Sequence, residues 1–234
     1  MRAWVGTSGY SYKEWKGHFY PEKIKPAEML AYYATRLKTV EINNTFYRMP
    51  RKEMLTAWAA QVPETFSFVL KASRRITHQQ RLKGSEESLS YLLDAASVLE
   101  GRLGPILFQM PPYFKKDVVV LRDFLALLPE GRRGSFEFRN PTWFDDEVYE
   151  VLRAGRGALV VADGGKDEPA RVATADFGYL RLRREDYDDT SLDAWAKWIR
   201  EQPWEDVWVF FKHEDEGAGP RLAARLAAIL EATG

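Results

Sequence analysis

The chain has 234 residues, of which 45% are hydrophobic and 14% aromatic, so it can bury a large core and is not of the disordered class. Its 34 Lys and Arg residues balance 34 Asp and Glu residues, which excludes a global charge that attracts nucleic acid or membranes. The absence of cysteine excludes disulfides, thiolate zinc sites and cysteine nucleophiles. No signal peptide or long apolar run is recognised, so we expect a soluble, cytoplasmic protein without a membrane partner.

Short apolar runs alternate with amphipathic segments along the whole chain. The runs predicted as β-strands are Ala3–Thr7, Thr39–Asn43, Phe66–Lys71, Pro105–Gln109, Ser135–Arg139, Ala158–Ala162, Tyr179–Arg183 and Val207–Phe211.

Residues at helical spacing predict a helix after most of these strands. Pro26 lies in the first turn of the first helix, Asp117 caps the fourth, and the fifth covers Asp145–Ala154. Gly101 is placed to end the third helix, and the last helix begins near Pro220. The Gly-rich, charged segment between the sixth and seventh strands has no convincing helical pattern.

This even alternation, without a linker or a change in composition, predicts an α/β fold. We expect residues 1–234 to form a single (β/α)8 TIM-barrel domain, slightly irregular between strands 6 and 7. An open, doubly wound sheet is the alternative, and periodicity alone does not exclude it. However, no strand is followed by a Gly-x-Gly-x-x-Gly or P-loop pattern, which counts against a dinucleotide-binding sheet.

Polar residues gather at the carboxyl ends of the predicted strands, where parallel barrels bind their ligands. In the second strand, Val40 and Ile42 face one side, whereas Glu41 and Asn43 face the other, which we predict to be the inner side. The other strands supply Ser8, Lys71, Gln109, Glu137, Arg139, Asp163, Arg181 and Arg183, with Lys212 or His213 from the last. Cations outnumber carboxylates in this set, which predicts a site for an anion.

Loops at the same end add further polar and aromatic residues. The loop after the third strand supplies Arg74, Arg75 and His78, and the first loop supplies Tyr10, Tyr12 and Trp15. Each aromatic residue has an alternative interpretation as core or lid packing, because the chain has many to bury. His78 alone could equally be a loop hydrogen-bonding residue.

Five stretches are long enough to compare with known families: GTSGYSYKEWKGHFYP (6–21), VEINNTFYRMP (40–50), FSFVLKASRRITH (66–78), LGPILFQMPP (103–112) and FEFRNPTWF (136–144). Together they closely resemble the YecE-like proteins, the domain-of-unknown-function 72 family. The resemblance implies a TIM barrel, and it implies no particular reaction because the family's activity is not established. In the C-terminal third, RLRRED (181–186) keeps Arg181 but lacks the family's His-Gly pair, and residues 212–226 lack its asparagines.

The leading functional hypothesis is an enzyme (a hydrolase, lyase or isomerase) that acts on an anionic, phosphate-bearing substrate. Glu41 and Glu137 are the predicted acid/base pair, and Lys71 is the third catalytic candidate, either as a phosphate clamp or through a Schiff base. The predicted substrate-binding residues are Ser8, Tyr10, Asn43, Tyr47, Arg74, His78, Gln109, Arg139, Asp163 and Arg181.

Three alternatives stay open at the level of sequence. No cofactor is predicted, but Glu41, Glu137 and Asp163 could instead hold Mg²⁺ or Mn²⁺, as in a metal-dependent endonuclease. A nucleic-acid-binding surface would use the basic and aromatic residues of the loops, including Arg74, Arg75, Arg81 and Lys83. A non-catalytic scaffold would close its barrel mouth with an ion-pair network. The sequence does not predict an oligomeric state.

Overall fold

Eight parallel strands form a closed barrel in chain order in the computed structural model, which describes residues 1–164 and 168–232. The strands are β1 (Arg2–Ser8), β2 (Thr39–Ile42), β3 (Ser67–Lys71), β4 (Leu103–Gln109), β5 (Gly134–Glu137), β6 (Ala158–Asp163), β7 (Phe177–Leu182) and β8 (Asp206–Phe211). Pairing of β1 with β8 completes the ring. The predicted TIM barrel is therefore confirmed, and the open sheet is excluded.

Helices follow most of the strands and pack around the barrel. They are α1 (Met29–Ala34), α2 (Asn44–Tyr47), α3 (Lys52–Ala59), α4 (Glu86–Ala96), α5 (Val118–Ala126), α6 (Asp146–Ala154), α7 (Asp189–Arg200) and α8 (Ala218–Glu231). The described residues between β6 and β7 contain no helix, which agrees with the predicted irregularity. None of the helices within residues 1–164 and 168–232 is long and apolar enough to cross a membrane.

The predicted helix starts are largely correct. Pro26 opens a 3₁₀ turn that leads into α1, where its missing N–H leaves no hydrogen bond unmade. The carboxylates of Asp117 and Asp145 accept hydrogen bonds from backbone N–H groups in the first turns of α5 and α6. The predicted end of the third helix was wrong. Helix α4 ends at Ala96 and is followed by a 3₁₀ helix over Ser97–Arg102, in which Glu100, rather than Gly101, has a positive φ of 50°.

Some predicted strand ends were also wrong, and three of them move a site residue into a loop. Strand β2 ends at Ile42 because Asn43 takes helical backbone angles and leads into α2. Strand β5 ends at Glu137, where its pairing with β4 ends, so Arg139 lies beyond the strand. Strand β7 begins two residues earlier than predicted, since its pairing with β8 starts at Phe177, and Arg183 follows its last residue.

Buried apolar side chains lie in two layers, one inside the barrel and one between the barrel and the helices. The outer layer contains Val40 and Ile42. The inner layer consists of Val69, Leu107, Ala158, Val160, Phe177, Tyr179, Trp208 and Phe210. Because strand side chains alternate between faces, Glu41 belongs to the inner face of β2, as predicted.

The amino ends of the strands close the barrel with a separate ion cluster. The fully buried Asp206 accepts two hydrogen bonds from Arg2, at 2.7 and 2.9 Å, and one from Arg133 at 2.7 Å. A cavity of about 410 Å³ opens at this end, beside Trp4 and Trp208. None of the polar residues at the carboxyl ends of the strands lines that cavity, so it is distinct from the candidate site below.

Candidate functional site

Arg181 of β7 is the centre of the polar cluster at the carboxyl ends of the strands. Its Nη1 donates to Glu137 Oε2 at 2.6 Å, and its Nη2 donates to Glu41 Oε1 at 2.8 Å. All three side chains are almost completely buried. Buried charges are costly unless they are paired and hydrogen-bonded, so this triad satisfies the main electrostatic requirement of its members. We call it the floor of the barrel mouth.

Glu41 has three further hydrogen-bond donors around its carboxylate. The Ser8 hydroxyl donates to Oε1, the Asn43 amide lies 3.3 Å from the same oxygen, and the Tyr179 hydroxyl donates to Oε2 at 2.6 Å. The Asn43 amide also donates to Ser8 Oγ at 2.9 Å, so it orients the serine. Tyr179 was not among the residues predicted from the sequence. Its position two residues before Arg181, and therefore on the same face of the strand, was the available signal.

Glu137 is surrounded by donors from three other elements. Gln109 Nε2 donates to Oε2 at 2.8 Å, and Arg139 Nε and Arg183 Nη2 each lie 3.3 Å from Oε1. The other end of the same amide, Gln109 Oε1, accepts a hydrogen bond from Lys71 Nζ at 2.8 Å. Gln109 therefore connects the lysine to the floor and fixes the position of both partners.

Both floor carboxylates are held in the ionised form. Burial alone would raise the pKa of Glu41, but Arg181 and the surrounding hydrogen bonds outweigh burial and lower it. Burial would also raise the pKa of Glu137. The charges of the three arginines and the hydrogen bond from Gln109 outweigh this effect, so the pKa is strongly lowered. The predicted acid/base pair needs one carboxyl that carries a proton near neutral pH. The direction of both pKa shifts argues against that role.

Lys71 has a different environment. Its Nζ lies 4.3 Å from the centre of the Phe46 ring, and Gln109 is its hydrogen-bond partner. Within the described residues, no carboxylate oxygen is within 4.0 Å of Nζ. Burial, followed by the charge of Arg181, lowers the pKa of Lys71 to about 8. Phe46 was also missed from sequence, because nothing in a loop pattern shows which side chain it will contact.

His78 contacts the same Phe46 ring that Lys71 contacts. Its ring packs edge-to-face on Phe46, with the ring centres 4.9 Å apart. Burial, together with the charges of Lys71 and Arg139, lowers the pKa of His78 and so favours its neutral imidazole. The structure therefore places the predicted residue near Lys71.

The floor is buried, whereas the residues above it are open to solvent. The side chain of Arg181 is 4% exposed, compared with 24% for Arg183 and 39% for Arg139. Among the described residues, Nε of Arg181 and Nε of Arg183 are buried without a hydrogen-bond partner. Four cations meet two carboxylates in this cluster, namely Lys71, Arg139, Arg181 and Arg183 with Glu41 and Glu137. Two positive charges are thus left unbalanced, in the direction that the sequence predicted.

The prediction that Asp163 points into the barrel was wrong. The inner layer takes Ala158 and Val160 from β6, so Asp163 falls on the opposite face of the strand. There it accepts a hydrogen bond from the Tyr187 hydroxyl at 2.7 Å and lies 3.4 Å from Arg184 Nε. It therefore belongs to a separate ion cluster.

The trio proposed for Mg²⁺ or Mn²⁺ is consequently not assembled. Glu41 and Glu137 share Arg181, whereas Asp163 contacts Tyr187 and Arg184. In residues 1–164 and 168–232, no group of three or more His, Cys, Asp or Glu side chains is placed to hold a metal ion.

Other predicted loop residues lie apart from the floor. Tyr47 is 71% exposed, and Arg74 is exposed without a side-chain partner in the described part of the chain. Tyr10 is half-buried and its ring packs against Tyr33. Trp15 is buried in the core, as its alternative interpretation proposed.

Neither candidate residue after β8 reaches the floor. Lys212 Nζ is 3.9 Å from Glu214, and the His213 ring contacts the backbone carbonyl of Arg184 and the ring of Tyr187. The eighth strand therefore contributes no charged group to this cluster.

The whole chain matches a known family. Residues 4–234 match the sequence profile described as "Protein of unknown function DUF72". The chain belongs to the DUF72 family. It is 30% identical over 157 residues to the UPF0759 protein YunF of Bacillus subtilis, covering 63% of this chain and 54% of that protein. It is also 31% identical over 125 residues to the UPF0759 protein YecE of Escherichia coli K12, covering 53% and 46% respectively. The chain thus spans about half the length of these relatives.

Solved structures of DUF72 proteins share the same barrel. One from Thermotoga maritima is 27% identical, with a TM-score of 0.87 and coverage of 99% of this chain and 100% of that one. One from Enterococcus faecalis is 19% identical, with a TM-score of 0.83 and coverage of 98% and 95%, and it supports the fold alone. The stretches that resemble the DUF72 family supply Ser8, Glu41, Lys71, Gln109 and Glu137, so most of the site lies in the family's characteristic segments.

Proposed function

We propose that this DUF72 protein is an enzyme that binds an anionic, phosphate-bearing substrate at the carboxyl-end mouth of its barrel. The observation that carries the proposal is the excess of cations over carboxylates around Glu137, with Arg139 and Arg183 partly exposed above the floor. An anion bound by these two guanidinium groups would balance the excess positive charge.

The geometry suggests a division of roles. Arg139 and Arg183 are partly exposed and each makes one long contact with Glu137, so they are free to hold an anion. Glu41 and Arg181 belong to the floor, which orients these side chains rather than transferring protons. Lys71 is the remaining group with reactive chemistry. A lyase or isomerase fits a reactive amine better than a hydrolase that depends on two carboxyls.

A non-catalytic scaffold is the simplest competing explanation. In that case the ion pairs would only close the barrel, and every charged group should be matched by a partner of opposite charge. The floor meets that condition, but Lys71 has no carboxylate partner, and Arg139 and Arg183 share one oxygen of Glu137, whose other oxygen is paired with Arg181. This imbalance favours a ligand site over a structural plug.

Inorganic phosphate is a suitable first probe, with binding measured by titration calorimetry on the purified protein. We expect saturable binding that weakens about tenfold, or about 1.4 kcal/mol, in Arg139→Gln and in Arg183→Gln. Arg122→Gln is the matched control, because Arg122 is exposed on α5, away from the mouth. An affinity that is equal in all three variants, or no saturation at roughly 10 mM phosphate, would contradict the proposal.

A nucleic-acid partner is the second candidate. Arg74, Arg75, Arg81 and Lys83 are all exposed and have no side-chain partner in the part of the chain that is described, and the aromatic ring of Tyr47 is exposed at the end of α2. Binding of a single-stranded oligonucleotide that weakens steeply with salt would support this function. Phosphate binding with little dependence on salt would favour the enzyme.

A further inference from the structure

We propose that Lys71 is a nucleophilic lysine that forms a Schiff base with an aldehyde or ketone substrate that also carries a phosphate or another anionic group. This inference rests on the proposed function, because Arg139 and Arg183 would hold the anionic group while Lys71 reacts with the carbonyl carbon. It goes beyond that function by naming the covalent step and the chemical class of the substrate.

The contacts of Lys71 are unusual for a structural lysine. A buried ammonium group normally lies beside a carboxylate, because an unpaired buried charge is costly. Lys71 is only 9% exposed, yet its Nζ contacts a neutral amide and an aromatic ring, and two of its N–H positions have no acceptor in the described residues. An amide oxygen and an aromatic ring stabilise an ammonium group less than a carboxylate does, so the neutral amine, which carries the nucleophilic lone pair, forms more readily here.

Charged and titratable groups on several elements surround this amine. They are Arg181 of β7, Glu41 of β2, Glu137 of β5, Arg139 after β5 and His78 after β3. Arg139, Arg181 and Arg183 carry three positive charges against the two carboxylates, so the net local field is positive. Burial and this field lower the pKa of Lys71 to about 8, and an appreciable fraction of the amine is therefore uncharged in neutral solution.

The covalent step balances without any oxidant or reductant. The lone pair of neutral Lys71 Nζ attacks the carbonyl carbon, a C–N bond forms, and the carbonyl oxygen takes up a proton to give a carbinolamine. The C–O bond then breaks, and the oxygen leaves as water with the two hydrogens that the amine nitrogen releases. The resulting imine takes one proton from solvent and becomes an electron sink for cleavage of a neighbouring C–C or C–H bond.

His78 is placed to assist this exchange of protons. It shares the Phe46 ring with Lys71, and its neutral imidazole can accept a proton from the carbinolamine and return it to the leaving oxygen. Gln109 keeps the amine in position because its Oε1 accepts a hydrogen bond from Lys71 Nζ. Its amide does not titrate, so it cannot act as the proton acceptor.

Pyridoxal phosphate, an aldehyde that carries a phosphate, is the probe for this reaction. The folded protein is incubated with it at about pH 8 and then treated with borohydride, which adds hydride to the imine carbon and makes the link permanent. Peptide mapping by mass spectrometry locates the adduct. We expect Lys71 to be modified about 10- to 100-fold faster than the exposed Lys23, in line with a pKa of about 8. Inorganic phosphate should slow the modification of Lys71.

Two variants and a second aldehyde make the outcomes distinct. Lys71→Met should lose the fast adduct, and Lys23→Met should keep it. Adducts spread over exposed lysines, with Lys71 no faster than Lys23 in the wild-type protein, would overturn the inference whether or not the variants fold. If phosphate binds but Lys71 is not modified, the Schiff base fails and the proposed anion site stands. If phosphate does not bind and pyridoxal, which has no phosphate, modifies Lys71 as fast, the reactive lysine stands and the anion site fails.

Discussion

Arg181 determines the electrostatic state of the barrel mouth because two buried carboxylates share its guanidinium group. If one carboxylate loses its charge, the buried Arg181 loses one of its two ion-pair partners. A broken buried ion pair typically costs about 3–5 kcal/mol, far more than an exposed pair. The floor should therefore be among the positions where a conservative substitution is most destabilising.

Glu137→Gln tests this expectation. The variant keeps the shape of the side chain and leaves Arg181 and its neighbouring arginines underneutralised, so we expect the free energy of unfolding to fall by about 3–5 kcal/mol. Urea denaturation at pH 7 measures the change. Glu150→Gln is the control, because Glu150 is exposed in its pair with Arg153 and its loss should cost no more than about 0.5 kcal/mol. Similar small losses in both variants would show that the floor is not a coupled unit.

The lowered pKa of Glu137 also leads us to expect that stability depends on pH. The pKa of Glu137 is lowered in the folded protein from a usual value of 4.5, so its stabilising effect is complete above that value and declines as the pH falls below it. Between roughly pH 5 and pH 3, wild-type protein should therefore lose more stability than Glu137→Gln. Parallel losses in urea denaturation at these pH values would contradict the assigned shift.

Lys71 predicts a second dependence on pH, this time in anion binding. Sulfate is the better probe because its charge is constant over this range. Protonated Lys71 adds one positive charge to the mouth, so sulfate affinity should fall about tenfold as the pH rises through about 8. The arginines keep their charge throughout. Lys71→Met should bind sulfate weakly and equally at pH 7 and pH 9, and a wild-type affinity that is likewise constant would refute the prediction.

Which residues meet at the mouth was largely predictable from sequence. Alternation along each strand, combined with the rule that ligands bind at carboxyl ends, brings together residues such as Glu41, Gln109 and Arg181 without knowledge of any distance. Asp163 shows the limit of this reasoning, because an error of one position in strand phase moves a side chain to the opposite face. Ion-pair partners and pKa directions depend on three-dimensional distances, so the prediction of Glu41 and Glu137 as an acid/base pair was made without the lowered pKa values that argue against it.

At the scale of elements, helix starts are predicted more reliably than strand ends. A cap such as Asp117 acts within four residues, through a hydrogen bond from Val120 N–H at 3.1 Å, so its signal is local. The end of a strand instead depends on how far the neighbouring strand continues. Arg139 was predicted within a strand for this reason, although pairing stops at Glu137.

Asp117→Ala tests the contribution of the cap to α5. Loss of the side-chain acceptor leaves a first-turn N–H without its partner, so we expect the free energy of unfolding to fall by about 1 kcal/mol. Asp123→Ala is the control on the same helix, since Asp123 is exposed after the first turn and alanine favours the helix. Equal urea midpoints for Asp117→Ala and wild type would show that solvent replaces the cap without loss.

At the scale of the whole molecule, closure of the barrel depends on a close approach between β1 and β2. These strands pair only through Thr7 with Val40 and Ser8 with Glu41, directly beside the floor. Just before this pairing lies Gly6, where an added Cβ would be 2.0 Å from the backbone oxygen of Thr39. An open sheet could relieve such a contact by moving an edge strand, but in a closed barrel β1 is also held by β8.

Gly6→Ala should therefore destabilise the entire barrel. The methyl group cannot be accommodated by rotating a side chain, because the atom it meets belongs to the backbone, so we expect a loss of about 2 kcal/mol or more in urea denaturation. Gly101→Ala is the control, since a Cβ there has no neighbour within 4 Å. Displacement of β1 also moves Ser8 away from Glu41, so phosphate affinity should fall in Gly6→Ala and be unchanged in Gly101→Ala. Wild-type stability in Gly6→Ala would mean that β1 and β2 can separate without opening the barrel, and the site would then be less rigid than its hydrogen bonds imply.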